Sequence, residues 1–242
     1  MKKIIFILLL FPLLAWRLPA DAAEEEPIGV LKGSVEASLV TATGNAQTQT
    51  GSARIVASQR SERDRWIGRA GVLYGKSEGQ SVASSYYANG EYNYFHSPKT
   101  YSIYFLGWEK DRLAGLTSRL TARIGLGHEC IKTDKDFLIS EAGVGYVYEH
   151  RTDGTEGYPE GRLHELYEHQ FQPNVKFFED FEFLSDLTLM TNYRINSVTG
   201  IKLDINKQWS VRTSLTIHYD NQPVPGFRKT DTITETSLVY NF

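Results

Sequence analysis

The chain of 242 residues is long enough for one large domain or two small ones. Residues 1–22 hold three of its 26 basic and one of its 29 acidic side chains, so the remainder carries a net charge near −5. This charge argues against nucleic acid as a partner, because phosphate binding calls for a basic surface. With a single cysteine, Cys130, the chain cannot form an internal disulfide.

The first 22 residues have the layout of a secretory signal peptide. Two lysines open the chain, an apolar run follows over 4–16, and Ala20-Asp21-Ala22 supplies small residues around a spacer. The apolar run contains a proline and is shorter than the roughly 20 residues that a spanning helix needs. We therefore predict cleavage after Ala22 and export. Because Ala23 rather than a cysteine follows, a lipoprotein anchor is not expected.

After the signal, apolar and polar residues alternate in segments of about ten residues separated by turn signals. We expect a short periplasmic segment over 23–30 and one domain over 31–242. In the clearest segment, 209–220, the residues from Trp209 to Tyr219 at every second position form an apolar face with one threonine. The pattern predicts twelve strands over 31–43, 46–58, 65–76, 82–96, 99–111, 115–131, 135–150, 161–176, 183–196, 198–206, 209–220 and 230–242.

An even number of antiparallel strands places both termini on one side, which in bacterial barrels is the periplasm. The links from odd to even strands then face outward and are expected to be the longer ones. The two longest predicted links, 151–160 and 221–229, both belong to this outward set. The predicted inward turns are 59–64, 97–98, 132–134, 177–182 and 207–208.

Alternation also describes a soluble sandwich, so other features must decide whether the apolar face points outward. The segments are long enough for tilted membrane strands, and Tyr and Trp lie near their ends, where interfacial girdles belong. The last strand carries Leu238, Tyr240 and the terminal Phe242 on one face, an ending typical of outer-membrane barrels and read there as an assembly signal. We predict an all-β fold: a single transmembrane antiparallel β-barrel of about 12 strands in a Gram-negative outer membrane. Its expected partners are outer-membrane lipid, lipopolysaccharide and the barrel-assembly machinery.

Several segments resemble one family of outer-membrane proteins. Residues 33–45, in which small residues precede Thr-Gly-Asn, resemble the opening of the YdiY-like salt-induced outer-membrane protein family. Paired glycines in 123–127 and 141–146 are similar to glycine strands of that family, and the most specific match is 218–231 with the final Tyr-Asn-Phe. The chain departs most from the pattern over 154–170. The family is a domain of unknown function, so the resemblance implies location and fold, not an activity.

Some outer-membrane barrels are hydrolases, which need a Ser–His or Asp–His pair near the rim. His150 and His164 flank the predicted loop over 151–160, and the nearby acids are Glu149, Asp153, Glu160 and Glu165. A rim carboxylate–His site that activates water or binds a metal is therefore one alternative. No lipase or protease signature surrounds a serine, and no His pair has metal-ligand spacing. We expect no enzyme, catalytic residue, cofactor or metal.

The lumen is the remaining place for function. Its predicted charges are the bases Arg119, Arg123, Arg194 and Arg212 and the acids Glu91, Glu129, Glu141 and Asp204. A lining of one sign favours an ion-selective pore, whereas a balanced lining favours paired charges that fill the interior. Twelve strands allow either outcome. We predict a narrow or plugged barrel with a structural or stress-response role. The alternative is a substrate-specific channel for small solutes, and the oligomeric state stays open.

Glycines recur inside the predicted strands. Gly125, Gly127, Gly143 and Gly145 could be read as a phosphate loop, but no helix follows them. We expect them instead to relieve crowding where the wall bends or where lumen side chains are large.

Overall fold

A computed structural model of the protein describes residues 28–43, 48–77 and 80–242. Over these residues the chain forms twelve antiparallel strands that close into one barrel, with β1 paired to β12 and every other neighbour consecutive in sequence. The strands are β1 Leu31–Thr43, β2 Thr48–Arg60, β3 Asp64–Ser77, β4 Gln80–Phe95, β5 Thr100–Asp111, β6 Leu116–Lys132, β7 Asp136–Arg151, β8 Gly154–Gln172, β9 Val175–Asp186, β10 Tyr193–Asp204, β11 Trp209–Asp220 and β12 Thr230–Asn241. The predicted fold class and strand number are confirmed. The predicted signal peptide over 1–22 lies outside the described residues.

The wall is apolar outside and polar inside, as predicted. On β12, Glu235 and Ser237 face the lumen and are buried, whereas Leu238 between neighbouring inward positions is 48% exposed on the outer face. This arrangement suits a barrel surrounded by lipid, because the hydrocarbon that contacts the outer face is itself apolar. In the described part of the chain, closure gives every strand a neighbour on both sides, and the β7–β8 hairpin extends beyond its neighbour β9. Among the described residues, no helix is long and apolar enough to cross a membrane.

Aromatic side chains lie at both rims. We call the end where β1 begins and β12 ends the near end, and the opposite one the far end. Exposed rings at the near end belong to Trp66, Phe171, Trp209 and Tyr240, and those at the far end to Tyr74, Trp108 and Tyr148. Trp209 and Tyr240 contact each other, with ring centroids 5.0 Å apart. Two such girdles are expected where a barrel meets the two membrane–water interfaces.

Inward glycines make room for large lumen side chains, in line with the expectation from sequence. Gly71 pairs with Tyr87 and Gly127 with Tyr101 on the neighbouring strand. In both pairs a Cβ on the glycine would overlap the aromatic ring, so the ring lies flat against the wall. Gly145 likewise gives space to Arg123, whose Cβ lies 3.1 Å from where a glycine Cβ would be. Without these glycines, Tyr87, Tyr101 and Arg123 could not keep their observed positions in the lumen.

The predicted long loop over 151–160 is wrong. β7 and β8 form a hairpin in which only residues 152–153 lie between the strands. Proline is unfavourable inside a strand, because it removes a ladder hydrogen bond, and Pro159 lies in β8. β8 pairs with β9 only from Glu160 onward, so Pro159 lies where the hairpin extends beyond β9 and needs no partner on that side. Its carbonyl accepts a hydrogen bond from the Leu187 amide at 2.9 Å.

The predicted inward turn over 177–182 and the predicted strand boundary at Ser197 are also wrong, since they lie inside β9 and β10. The true link at the far end is 187–192. Alternation fails here because Phe178 is buried on the lumen side while Glu179 is on the outer face. Glu179 accepts hydrogen bonds from Ser197 at 2.8 Å and from Thr199, so the outer face is locally polar.

The lumen as candidate functional site

A network of arginine–glutamate pairs crosses the lumen towards the far end. Arg119 on β6 donates to Glu109 on β5 and to Glu149 on β7. Arg123 donates to Glu160 on β8 at 2.6 Å, and Arg194 on β10 donates to the other oxygen of Glu160. We call this group the crossbar cluster: Glu109, Arg119, Arg123, Glu149, Glu160 and Arg194.

The crossbar cluster reaches from one side of the barrel to the other. Arg194 Nη1 lies 4.0 Å from Glu109 Oε1. Their strands, β10 and β5, are five positions apart on a ring of twelve, so the two walls are almost opposite. Two side chains therefore span the interior at this level. The lumen is narrow here.

Gly145 lets the pair between Arg123 and Glu160 form. Arg123 pairs with Gly145 across β6 and β7, and Gly145 pairs with Glu160 across β7 and β8, so the three residues lie in one row. With no side chain on Gly145, the guanidinium lies over the middle strand and meets the carboxylate two strands away. The two side chains are 9% and 1% exposed, so the pair is withdrawn from solvent. Burial makes each partner costly to remove.

A second network joins the first and last strands. Arg54 on β2 donates to Glu235 on β12, passing across β1, and lies 3.4 Å from Glu36. Arg212 on β11 lies 3.3 Å from Glu36 on β1, passing across β12. Glu235 also accepts hydrogen bonds from the Ser38 and Ser52 hydroxyls at 2.5 and 2.6 Å. We call Glu36, Arg54, Arg212 and Glu235 the seam cluster.

A third group surrounds a buried histidine on β8. Arg162 donates to Glu141 on β7 at 2.8 Å and to Glu182 on β9 at 2.5 Å. His164 Nδ1 lies 3.0 Å from Glu141 Oε2, and its Nε2 lies 3.0 Å from Asp180 Oδ1. Both ring nitrogens are therefore held by carboxylates. Such an arrangement positions charges along the wall and leaves neither nitrogen free for acid–base chemistry.

The rim carboxylate–His site considered from sequence does not form. His164 faces the lumen, whereas His150 is exposed on the outer face, 2.7 Å from the Thr155 hydroxyl and in edge contact with Tyr148. The barrel wall separates the two imidazoles. Within residues 28–43, 48–77 and 80–242, no group of three or more His, Cys, Asp and Glu residues is arranged to hold a metal.

The eight predicted lumen charges lie on the inner face, and each has a partner that the sequence did not assign. In the described part of the chain, none of the four arginines forms an ion pair with the four named acids; the arginines meet Glu36, Glu109, Glu149 and Glu160. Glu91 pairs with Arg69, Glu129 with Lys132, Glu141 with Arg162 and Asp204 with Lys202. The pairing was not accessible from sequence.

Sequence reasoning missed several residues of these networks. Glu160 fell in a segment assigned to a loop and Glu182 in one assigned to a turn, whereas Arg162 fell in a predicted strand with weak alternation and Glu109 in a strand that is apolar on both faces. A signal existed: Glu160, Arg162 and His164 alternate with Gly161, Leu163 and Glu165. Extending the strand towards the hairpin would have placed the first three in the lumen.

A cavity of about 590 Å³ occupies the interior. Its lining includes the crossbar arginines, Arg65 and Arg69 on β3, the ring of Phe105, and part of the loop over 221–229. It is therefore bounded by paired charges, aromatic rings and a far-end loop.

The far-end loop over 221–229 folds inward. Val224 is 3% exposed and packs against Gly115, whose backbone has a φ of 70°. A Cβ on Gly115 would lie 3.1 Å from Val224 Cγ2 and 3.0 Å from the Phe227 ring, so both the conformation and the contact favour glycine. Arg151 donates to the Gln222 carbonyl at 2.8 Å. We call Gly115, Arg151 and 221–229 the cap.

The predicted assembly residues lie at the seam. Leu238, Tyr240 and Phe242 are 48%, 37% and 49% exposed, and the first two face outward. Phe242 exchanges two backbone hydrogen bonds of 2.9 Å with Gly33 on β1, and its ring covers that glycine. The terminal residue thus takes part in barrel closure. Recognition of this residue by the barrel-assembly machinery stays a prediction.

Comparison with known proteins agrees with this fold. Residues 35–242 match the family described as "Protein of unknown function, DUF481", and no curated protein matches the chain. The NanC porin structure is similar at 6% identity with a TM-score of 0.60, covering 85% of this chain and 98% of that one. The translocator domain of autotransporter NalP from Neisseria meningitidis is similar at 12% identity and 0.54, covering 88% of each. These likenesses show the barrel fold alone. Because the family match spans most of the chain, the protein belongs to the DUF481 family, which confirms the resemblance found in its sequence.

Proposed function

We propose that the protein is an exported outer-membrane barrel with a narrow lumen, which contributes to envelope structure or stress response rather than to general diffusion. The apolar outer wall and its two aromatic girdles support a membrane location. In this proposal the near end faces the periplasm and the cap faces outward. Lipid and lipopolysaccharide surround the wall, and the closing strand addresses the protein to the barrel-assembly machinery.

The observation that carries the proposal is the crossbar cluster. Arg194 and Glu109 come from almost opposite walls and approach to 4.0 Å. Opposite charges attract each other, and their side chains occupy the cross-section of the lumen. A general porin keeps an aqueous channel, which is typical of barrels with about sixteen strands. The cap narrows the far mouth further.

Recording of single channels in planar bilayers tests this proposal. The purified protein is expected to give small or absent conductance. Arg194→Ser should raise conductance, because it removes the side chain that crosses the lumen to Glu109. Lys202→Ser is the matched control: it removes an inward cation that pairs with Asp204 near the other end and does not line the cavity. Large, stable openings of the unmodified protein would contradict the proposal.

A second candidate is a channel selective for one class of small solute. The cavity of about 590 Å³ is its support, since ligand sites occupy about 300–1,000 Å³. The likeness to a porin is compatible with it. A small conductance that one solute class changes strongly would favour this candidate. The third alternative is a hydrolase. His150 and His164 lie on opposite faces of the wall, and we expect no turnover of phospholipid, lipid A or peptide.

Location has a separate test. The mature protein should begin at Ala23, fractionate with outer membrane and change its gel mobility on heating in detergent. Recovery as a soluble periplasmic monomer would contradict both the proposed location and the proposed role.

A further inference from the structure

Two guanidinium groups in the lumen have a buried donor without an acceptor. Arg65 Nε and Arg123 Nε have no hydrogen-bond partner among the residues that the structure describes. Arg65 also lacks a carboxylate partner there, and its charge rests on the rings of Phe95 and Tyr101, at 5.6 and 5.5 Å from the ring centroids. Arg123 is 9% exposed and shares its one carboxylate, Glu160, with Arg194. Each guanidinium therefore keeps an unused N–H group, and the charge of Arg65 has no carboxylate partner in the described residues.

The two groups belong to one place in the molecule. Both line the same cavity. β3 and β6, which carry them, are three positions apart on a ring of twelve, so the side chains point inward from walls a quarter of the circumference apart. Arg123 lies 5.0 Å from the ring centroid of Phe105, which packs against the cluster of Phe95, Tyr101 and Ile103. The guanidiniums thus flank a single aromatic cluster.

We propose that this cavity binds a small oxyanion, a carboxylate or a phosphate group, between Arg65 and Arg123. An oxyanion supplies acceptors only, which is what two unused N–H groups and an arginine without a carboxylate partner call for. Guanidinium groups bind such oxygens with directional, charge-assisted hydrogen bonds. The inference goes beyond the proposed function, because a closed barrel can hold an anion as well as a conducting one can.

Thermal unfolding of the full protein in detergent tests the site without requiring conduction. The probes are inorganic phosphate and acetate, each compared with chloride at equal ionic strength. Phosphate, acetate or both should raise the unfolding temperature more than chloride does, and the difference between the two probes identifies the preferred group. Loss of one charge-assisted hydrogen bond should weaken the apparent affinity by about tenfold or more.

Three variants make the test specific. Arg65→Gln should abolish the anion effect, and it leaves no carboxylate without its partner. Arg65→Lys keeps the charge but removes the directional Nε–H group, so it should also lose most of the effect. Arg123→Gln should do the same, while Glu160 retains Arg194. Lys202→Gln, which lies outside the cavity, should respond as the unmodified protein does.

Two results would overturn the site. Equal stabilisation by phosphate, acetate and chloride would mean that a general salt effect acts and that water satisfies the two donors. Stabilisation that persists unchanged in Arg65→Gln would place any bound anion elsewhere. If Arg123→Gln fails to assemble, the pair of Arg65 variants still decides the question.

Discussion

The seam cluster and the crossbar cluster both consist of arginine–glutamate pairs, but the two clusters have different roles. The seam cluster joins β1, β2, β11 and β12, and its pair of Arg54 and Glu235 bridges 181 residues of sequence. Every oxygen of Glu235 has a partner, and its side chain is 1% exposed. The crossbar cluster instead crosses the interior, and its Glu109 is 43% exposed. The pairs along the wall hold the barrel closed, whereas the contact between Arg194 and the half-exposed Glu109 across the interior limits its bore.

This difference separates stability from permeability. Removing one partner of a buried, fully satisfied pair leaves a charge or several donors without compensation. Removing Arg194 from its contact with Glu109 costs less, because Glu109 is half-exposed and Glu160 keeps Arg123 as its partner. Variants of the two clusters should therefore change different observables.

The largest effect is expected at the seam. Glu235→Ala removes the acceptor of Arg54, Ser38 and Ser52, and should cost about 3–5 kcal/mol in the free energy of unfolding. Denaturant unfolding in detergent, followed by heat-modifiable gel mobility, measures it. Ser237→Ala is the control on the same strand and face, with a hydroxyl that lacks a partner in the described residues, and should cost within about 1 kcal/mol. Equal stability of the two variants would remove the seam cluster from barrel closure.

The next effect concerns assembly at the near end of the seam. Phe242→Lys or deletion of Phe242 should slow assembly and lead to degradation, since the closing strand loses both its terminal aromatic and its contact with Gly33. The folded fraction in outer-membrane extracts measures this. Ile205→Lys, an exposed apolar residue at the same end of the barrel, is the control and should assemble normally. Normal assembly of the Phe242 variants would show that the terminal aromatic is incidental.

A paired substitution sharpens the comparison. Arg123→Ser should raise single-channel conductance and alter ion preference, because a guanidinium leaves the crossbar cluster while Glu160 keeps Arg194 as its partner. Arg212→Ser should instead lower stability, since Arg212 holds Glu36 at the seam and lies 4.5 Å from the Phe178 ring centroid. Bilayer recordings and denaturant unfolding of both variants separate the two effects. The same response from both would mean that the clusters are one functional unit.

The smallest effect is expected at the cap. Val224→Asp places a charge in the apolar contact with Gly115 and should release the loop from the mouth. Conductance should rise modestly and fluctuate more, with little change in barrel stability. Pro225→Ala alters an exposed residue of the same loop and serves as the control. If Val224→Asp leaves conductance unchanged, the cap does not limit passage.

The sequence alone determined the number of strands, the inside and outside of most of the wall, and the balance of lumen charge. These follow from local alternation, which places Trp209 and Leu215 on the outer face and Ser210 and Ser214 inside. It failed in β8, β9 and β10, where Pro159 and Glu179 depart from the simple pattern. There the neighbouring strands determine the structure. β9 ends before it reaches Pro159, and β10 supplies hydrogen-bond donors to Glu179.

Only the tertiary structure decided which arginine meets which glutamate. Period-two alternation says that Arg123 and Glu160 point inward, but not that Gly145 lies between them in one row. Long side chains on a curved wall meet across an intervening strand, so their partners depend on register and closure rather than on proximity in sequence. Arg54 and Glu235 meet for the same reason, because closure brings β2 and β12 to either side of β1. Composition sets the charges, and the register of twelve strands sets their partners.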